Sequence, residues 1–294
     1  MALSGKTVLV TGGAGFIGSH LCERLVKEGN TVISLDNYFT GSKDNHVEGV
    51  EYREGHTKDI ETLVPETPDL IFHLGEYSRV AKSLEEPELV FDLNMEGTFG
   101  VLEYWRKRGV KLVYAGSSTK LVGAREDGTL GRDLAPYTWA KAANSDLVNN
   151  YAVWYGLPYA ITYFYNVYGP GERGGVNGYG TVVETFKQQY LANEPFTVRS
   201  PGTQKRAFTH VEDTVNALML IAEKGEGDGY GIGATEEFSL LEVADMFGGE
   251  KYMLPSTATT RSEAGIVDTS KIKALGWDQS MTLPEYIADI KASK

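Results

Sequence analysis

Tyr137 and Lys141 stand four residues apart in Pro136-Tyr137-Thr138-Trp139-Ala140-Lys141, a spacing that sets both side chains on one face of a helix. A phenol with a pKa of about 10 is a poor base at neutral pH. A neighbouring ammonium favours its phenolate form, so Tyr137 could take the proton of a substrate hydroxyl while Lys141 tunes it. Spacing alone does not make this case, because Tyr and Lys at i and i+4 are common on helix faces. Upstream, Ala115-Gly116-Ser117-Ser118-Thr119 closes an apolar run and puts hydroxyls where open α/β sheets bind ligands, at the carboxyl edge. One of these hydroxyls could hydrogen-bond a reacting oxygen beside Tyr137; a Ser/Thr-rich turn formed for local reasons is the alternative.

A second constellation lies near the start. Thr11-Gly12-Gly13-Ala14-Gly15-Phe16-Ile17-Gly18 follows the apolar run 6–10 and opens a helical repeat of Ile17, Leu21 and Leu25 that Gly29 stops. Gly12, Gly15 and Gly18 allow a tight turn, close approach of backbone to a pyrophosphate, and close helix–strand packing. The helix N-terminus would then turn free N–H groups and a positive dipole end on the phosphates. Asp36 closes the next strand 18 residues after Gly18. A carboxylate there accepts from both ribose hydroxyls of NAD and repels the 2′-phosphate of NADP, so NAD is the expected cofactor. Its positive nicotinamide ring would further favour the phenolate of Tyr137.

The elements that must position these residues alternate. Strands are expected at 6–10, 31–35, 51–54, 69–74, 111–115 and 159–163, with helices notably at 88–108 and 137–155. Such alternation predicts an α/β fold: a doubly wound parallel sheet (Rossmann) covered on both faces, with a smaller C-terminal α/β substrate lobe. The NAD-binding domain is expected over 1–167 and the substrate lobe over 168–294, with 207–222 able to return to the first domain. Ser239 with Glu242, and Thr282 with Glu285, have capping-box spacing and predict two helix starts.

Net charge is -12, which argues against nucleic acid or an anionic membrane as partner, since both need a positive surface. One cysteine, Cys22, excludes an internal disulfide and a thiolate metal cluster. The five histidines, His20, His46, His56, His73 and His210, show no metal-ligand spacing. No apolar run is long enough to span a bilayer and no secretory signal pattern is present, so the expected location is cytoplasmic.

In this order, TGGAGFIGSH (11–20), LDN (35–37), FHL (72–74), Asn94 with Gly97-Thr98, the serine cluster, YxxxK, NVYGPGE (166–172), QKRAFTHVED (204–213) and DTSKIKALGW (268–277) resemble the extended short-chain dehydrogenase/reductase family. The resemblance is to its branch of nucleotide-sugar epimerases and dehydratases, and runs over essentially the whole chain. It implies that NAD is held by Gly12, Gly15, Phe16, Ile17, Gly18, Asp36, Asn37, Leu74 and Asn94 together with Tyr137 and Lys141. It implies that Ser117 is the third catalytic member when counted from the strand, or Ser118 when counted back from Gly123. Asn166 would contact the sugar nucleotide, and Arg206 and Arg261 its diphosphate.

Three departures from the family pattern stand out. Lys120-Leu121 replaces the Asp-Glu pair that sugar dehydratases place after the catalytic hydroxyl, which disfavours elimination of water. Gly75-Glu76-Tyr77 stands where many members have small residues and is expected to reshape the nicotinamide or sugar pocket. His56 stands where an adenine-contacting acid is common. The leading expectation is NAD-dependent 4-epimerisation of a UDP-hexose. A decarboxylase, 4-dehydrogenase, reductase or dehydratase of the same family is the alternative, and a non-catalytic NAD-binding sensor or scaffold the second. A homodimer through 88–108 and 137–155 is expected from the resemblance.

Overall fold

A computed structural model describes residues 3–121, 131–173, 180–257 and 268–294. Six strands lie close to the expected positions: β1 (Thr7–Thr11), β2 (Thr31–Asp36), β3 (Val50–Glu54), β4 (Leu70–His73), β5 (Lys111–Ser117) and β6 (Tyr159–Phe164). With a seventh strand, Gly227–Ile232, they form one parallel sheet in the order β3-β2-β1-β4-β5-β6 and then the seventh. This is the doubly wound Rossmann-like arrangement. The strand order reverses between β1 and β4, the place where such sheets open a crevice at their carboxyl ends.

Strand alternation sends neighbouring side chains to opposite faces, and two apolar layers result. Val8 and Val10 join Leu21 and Leu25 of the helix Phe16–Lys27 on one face. Leu9, Ile33 and Ile71 join Leu102 and Trp105 of the helix Gly97–Arg108, and Val148 of the helix Pro136–Tyr155, on the other. The helix Val211–Lys224 packs on the first layer through Val215 and Leu218, beside the first helix. A further apolar cluster gathers Tyr168, Phe186, Phe196, Phe208, Phe247 and Leu283. Both capping boxes form: Ser239 and Glu242 exchange bonds of 2.7 and 3.1 Å, Thr282 and Glu285 bonds of 2.9 and 3.4 Å. Among the described residues no helix is long and apolar enough to cross a membrane.

Three features differ from the pattern expected of the sequence, and each bears on the crevice. β5 continues two residues further, so Ser117 ends the strand and Ser118 opens the short 3-10 turn Ser118–Leu121. The helix expected over 88–108 is interrupted: Pro87–Val90 passes through a π-helical stretch, Phe91–Glu96, before Gly97–Arg108. The widened turn buries Leu93 and Asn94 side by side. The seventh strand, GDGYGI, carries three glycines in six residues and therefore lacks the β-branched signature of its neighbours.

Helix and strand meet most tightly at Gly18, where a Cβ would overlap the Gly12 carbonyl oxygen and come within 2.9 Å of Gly13 Cα. Both neighbours are backbone and cannot swing aside. Gly18→Ala is therefore expected to destabilise the fold by about 1–3 kcal/mol, read as a lower urea midpoint; an unchanged midpoint would show that the turn yields.

Candidate active site

At the crevice between β1 and β4 lies a cavity of about 800 Å³. Its walls bring together residues far apart in sequence: the glycine turn, the end of β2, the loop after β4, the end of β5 and the start of the helix Pro136–Tyr155. Gly12 has φ +76 and a Cβ there would meet Gly75 Cα at 2.9 Å, so only glycine serves both requirements. Gly15 caps the helix Phe16–Lys27 without a side-chain bond, which leaves an open cradle at the positive end of the helix. Asp36 accepts the N–H of Ala14 at 2.9 Å and that of Tyr38 at 2.8 Å while lining the cavity. Burial raises its carboxyl above the ordinary range, against the pull of these two donors.

On the opposite wall, the Tyr137 phenol donates to Ser117 Oγ at 3.3 Å. Ser117 in turn lies 2.9 Å from the Thr119 hydroxyl. Ser117 is buried and joined to the phenol, whereas half-buried Ser118 begins the next turn; of the two hydroxyls, Ser117 is the one at Tyr137. Lys141, whose spacing suggests a charge available to Tyr137 and the nicotinamide ribose, lines the same cavity. Its ammonium donates to Glu76 Oε2, to the Ala115 carbonyl and, at 3.4 Å, to the Tyr114 hydroxyl.

Glu76 is the centre of a larger network. Its Oε1 accepts from Thr98 Oγ1 and Asn144 Nδ2 at 2.8 Å and from the Tyr114 hydroxyl at 3.1 Å. Burial alone would raise this carboxyl, but the ammonium of Lys141 and its other partners hold it below the ordinary carboxylate range. His73 lies 3.0 Å from Thr98 Oγ1 through Nε2 and 2.7 Å from Thr11 Oγ1 through Nδ1. Because Thr98 donates to Glu76, it accepts from Nε2–H. Burial pushes the pKa of the ring down to about 4, so it is neutral and Nδ1 accepts from Thr11.

Of the residues expected to bind the cofactor, Gly12, Gly15, Phe16, Ile17, Gly18, Asp36, Asn37, Leu74, Tyr137 and Lys141 share the cavity wall. Asn94 does not. Its carboxamide accepts the Tyr77 N–H at 2.6 Å and donates to the Tyr77 carbonyl at 3.1 Å, so it clamps the loop that carries Glu76. Asn166, exposed at φ +39, donates to the Ala207 carbonyl at 2.8 Å, and Arg206 donates to the Lys205 carbonyl at 2.6 Å. Neither lines the cavity. His56 faces Asp92 at 3.2 Å. Arg261, Gly123 and the glycine-rich stretch 174–178 lie outside the described residues. Sequence reasoning missed Glu172, Arg79 and Lys82 as cavity residues. Glu172 accepts from the Thr181 N–H at 2.7 Å and hydroxyl at 2.8 Å, yet burial still pushes it up to about 7.

A family profile described as the NAD dependent epimerase/dehydratase family matches residues 8–233. A putative UDP-glucose 4-epimerase of Methanocaldococcus jannaschii is 31% identical over 95% of this chain and 95% of its own. UDP-glucuronic acid decarboxylase 6 of Arabidopsis thaliana is 32% identical over 96% of this chain and 87% of its own. Among solved structures, UDP-glucose 4-epimerase from Thermotoga maritima with UDP-glucose superposes with a TM-score of 0.87 at 28% identity, covering 96% of each chain. The Thermus thermophilus UDP-glucose 4-epimerase complex with NAD gives 0.87 at 28%, covering 98% of this chain and 100% of that one.

The state of His73 can be read from stability. Its folded pKa of about 4 lies below the usual 6.5, so the unfolded chain binds a proton first. Stability contributed by the neutral ring is then complete above pH 6.5 and is lost as pH falls towards 4, by about 3 kcal/mol in all. Glu172, raised to about 7 from 4.5, acts in the opposite sense over that window and cancels when wild type is compared with His73→Gln. Urea unfolding between pH 7 and 4 is expected to show the extra loss in wild type only; parallel curves would mean that the ring titrates in the fold as it does in the unfolded chain.

Proposed function

The chain belongs to the NAD-dependent epimerase/dehydratase family, and from that premise we propose that it inverts C4 of a UDP-hexose through a transient 4-keto sugar. The observation that carries this reading is the Tyr137 phenol, bonded to Ser117 at 3.3 Å in one cavity with the glycine turn and Asp36. The residues fit an NAD: the turn closes only with glycine at 12 and 18, where a Cβ would strike neighbouring backbone, and the Asp36 carboxylate suits ribose hydroxyls and repels a 2′-phosphate. When bound, NAD supplies a reversible acceptor for the hydrogen on C4.

Tyr137 takes the proton of the 4-hydroxyl as the carbonyl forms and returns it when the carbonyl is reduced. Ser117 holds the phenol and offers its own hydroxyl to the same oxygen, while Lys141 sets the local charge. Asn166, Arg206 and Arg261 remain our candidates for the nucleotide and its diphosphate. Inversion requires only that the keto sugar present its other face, with no additional acid–base pair. Dehydration would need one. At the corresponding place Lys120 is paired with Asp146 at 2.8 Å and Asp228 at 3.7 Å, and Leu121 is apolar. The similarity to UDP-glucose 4-epimerases supports a UDP-hexose, and a cytoplasmic site of action accords with the single buried thiol, Cys22.

Decarboxylation of a UDP-glucuronate is a second reading. It is favoured by the Arabidopsis relative and by Arg79, Lys82 and Arg173 on the cavity wall, cations that suit a sugar carboxylate. It passes through the same 4-keto stage and uses Tyr137 in the same way.

We also propose a symmetric dimer through the helices Gly97–Arg108 and Pro136–Tyr155. Large apolar side chains stand exposed on both, Phe99 at 54% and Trp154 at 61%, a surface that a second copy would cover.

Purified protein is expected to interconvert UDP-glucose and UDP-galactose, or the N-acetyl pair, with no change in product mass by mass spectrometry. Loss of carbon dioxide from UDP-glucuronate would move the assignment to the second reading. Tyr137→Phe should lower the rate by about 10²–10⁴-fold and leave NAD binding intact; full activity in that variant would remove the phenol from the chemistry. Light scattering should give twice the chain mass, and Phe99→Glu with Trp154→Glu should give a monomer. A monomeric wild type would refute the dimer.

A further inference from the structure

After the short strand Val167–Tyr168, which pairs with Thr209–His210, the chain turns through Gly169-Pro170-Gly171 into the cavity wall. Gly169 at φ +151 and Gly171 at φ +79 take backbone conformations that a side chain disfavours. Gly171, Glu172 and Arg173 then line the same cavity as Gly15, Asp36 and Asn45. This strap is held at both ends. The Pro170 carbonyl, which can only accept, takes the Nε2–H of His20 at 2.9 Å, and His20 belongs to the helix Phe16–Lys27. At the far end the Arg173 guanidinium pairs with Asp44, in the loop after β2. Between them Glu172 is fixed by Thr181, the cap of the helix Val182–Ala192.

The Asp44 anchor is itself tied to the glycine turn. The Ser42 N–H and Asn45 Nδ2 both donate to the Ala14 carbonyl at 3.0 Å, and the Ser42 hydroxyl donates to Asp44 at 3.0 Å. Segment 170–173 therefore joins the helix that opens the phosphate cradle to the loop that follows Asp36, the acid suited to ribose hydroxyls. In 4-epimerisation the hydrogen taken from C4 returns to the same carbon. Such an enzyme gains by keeping its cofactor between the two transfers, whereas a dehydrogenase with net turnover must release it in every cycle. On the reading of this cavity as an NAD site serving a reaction without net redox change, we propose that Arg173 is a positioning residue. Paired with Asp44, it holds the strap across the dinucleotide site and slows the release of NAD and NADH.

An anchor and a direct cofactor contact make opposite demands on Asp44. An arginine bonded to the cofactor's phosphates would slow release through its own charge, while Asp44 would oppose it by repelling them. An arginine that fastens the strap needs Asp44 as its partner, so loss of either residue speeds release. The pair is exposed, Arg173 at 49% and Asp44 at 83%, so either side chain can be exchanged without leaving a buried charge. Exposure also limits the effect to a few-fold. His20 is the less selective anchor to remove, because its Nδ1 also faces Glu212 at 3.1 Å.

Release is read directly when protein loaded with NADH is mixed with excess NAD and the loss of bound-NADH fluorescence is followed in time. Arg173→Gln removes the charge, and Asp44→Asn does so while keeping an acceptor for Ser42. Each is expected to release NADH about 2–5-fold faster than wild type. Arg173→Lys, which keeps the charge, should stay near the wild-type rate. Unchanged or slower release in either Arg173→Gln or Asp44→Asn overturns the proposal; faster release in Arg173→Gln with slower release in Asp44→Asn would mark Arg173 as a phosphate ligand instead. Inertness toward every UDP-hexose would defeat the epimerase reading, and would leave the release rates to decide the role of Arg173.

Discussion

Removing Lys141 and Glu76 from water is unfavourable for each, and the pair is tenable because every strong donor and acceptor on it is met by protein. The ammonium has a carboxylate, a backbone carbonyl and a phenol; the carboxylate has a hydroxyl, an amide and the same phenol. Buried ion pairs add little net stability compared with an apolar core of the same volume, whereas removing one partner typically costs about 3–5 kcal/mol. The pair thus acts as a constraint. It dictates where the helix Pro136–Tyr155 sits against β5, and hence where Tyr137 meets Ser117.

The same constraint extends to the dinucleotide turn. From Thr11 at the end of β1, contacts run through His73 to Thr98, then to Glu76 and Lys141. Thr11 also accepts the Gly75 N–H at 3.1 Å, and Asn94 fixes the next residue but one along that loop. Four chain segments are tied by neutral and charged bonds in a region closed to water. The cradle for phosphates and the reactive phenol are therefore placed by one network, with the π-helical stretch supplying the turn that lets Asn94 reach Tyr77.

Much of this is legible in the sequence because local physics writes it there. The glycine spacing at 12, 15 and 18, the acid ending β2, and Tyr137 four residues before Lys141 each reflect a steric or chemical demand met within one element. The parallel strands are legible because burial on both faces requires apolar runs. What escapes depends on contacts between distant segments. Glu76 and Lys141 are 65 residues apart, and nothing near either one announces the other, although a charged residue directly after a buried strand is visible as a departure. Asn94 is expected at the cofactor from the resemblance alone, and a straight helix gives no reason for it to turn to Tyr77. The choice between Ser117 and Ser118 requires knowing that β5 runs to Ser117. Arg206 and Asn166 follow the family pattern in sequence but bond to nearby backbone outside the cavity wall.

The seventh strand has a consequence for how the chain is made. Gly227–Ile232 covers the outer flank of β6, but it emerges from a ribosome only after roughly sixty further residues, several seconds of synthesis at typical elongation rates. Until then β6 offers a row of unpaired amides and carbonyls, a template for pairing with another nascent chain. Its eventual cover is glycine-rich and gains little from intrinsic strand preference, so it docks on a surface already formed rather than nucleating one. Translation speed across 165–226, and chaperone access during that interval, thus bear directly on yield.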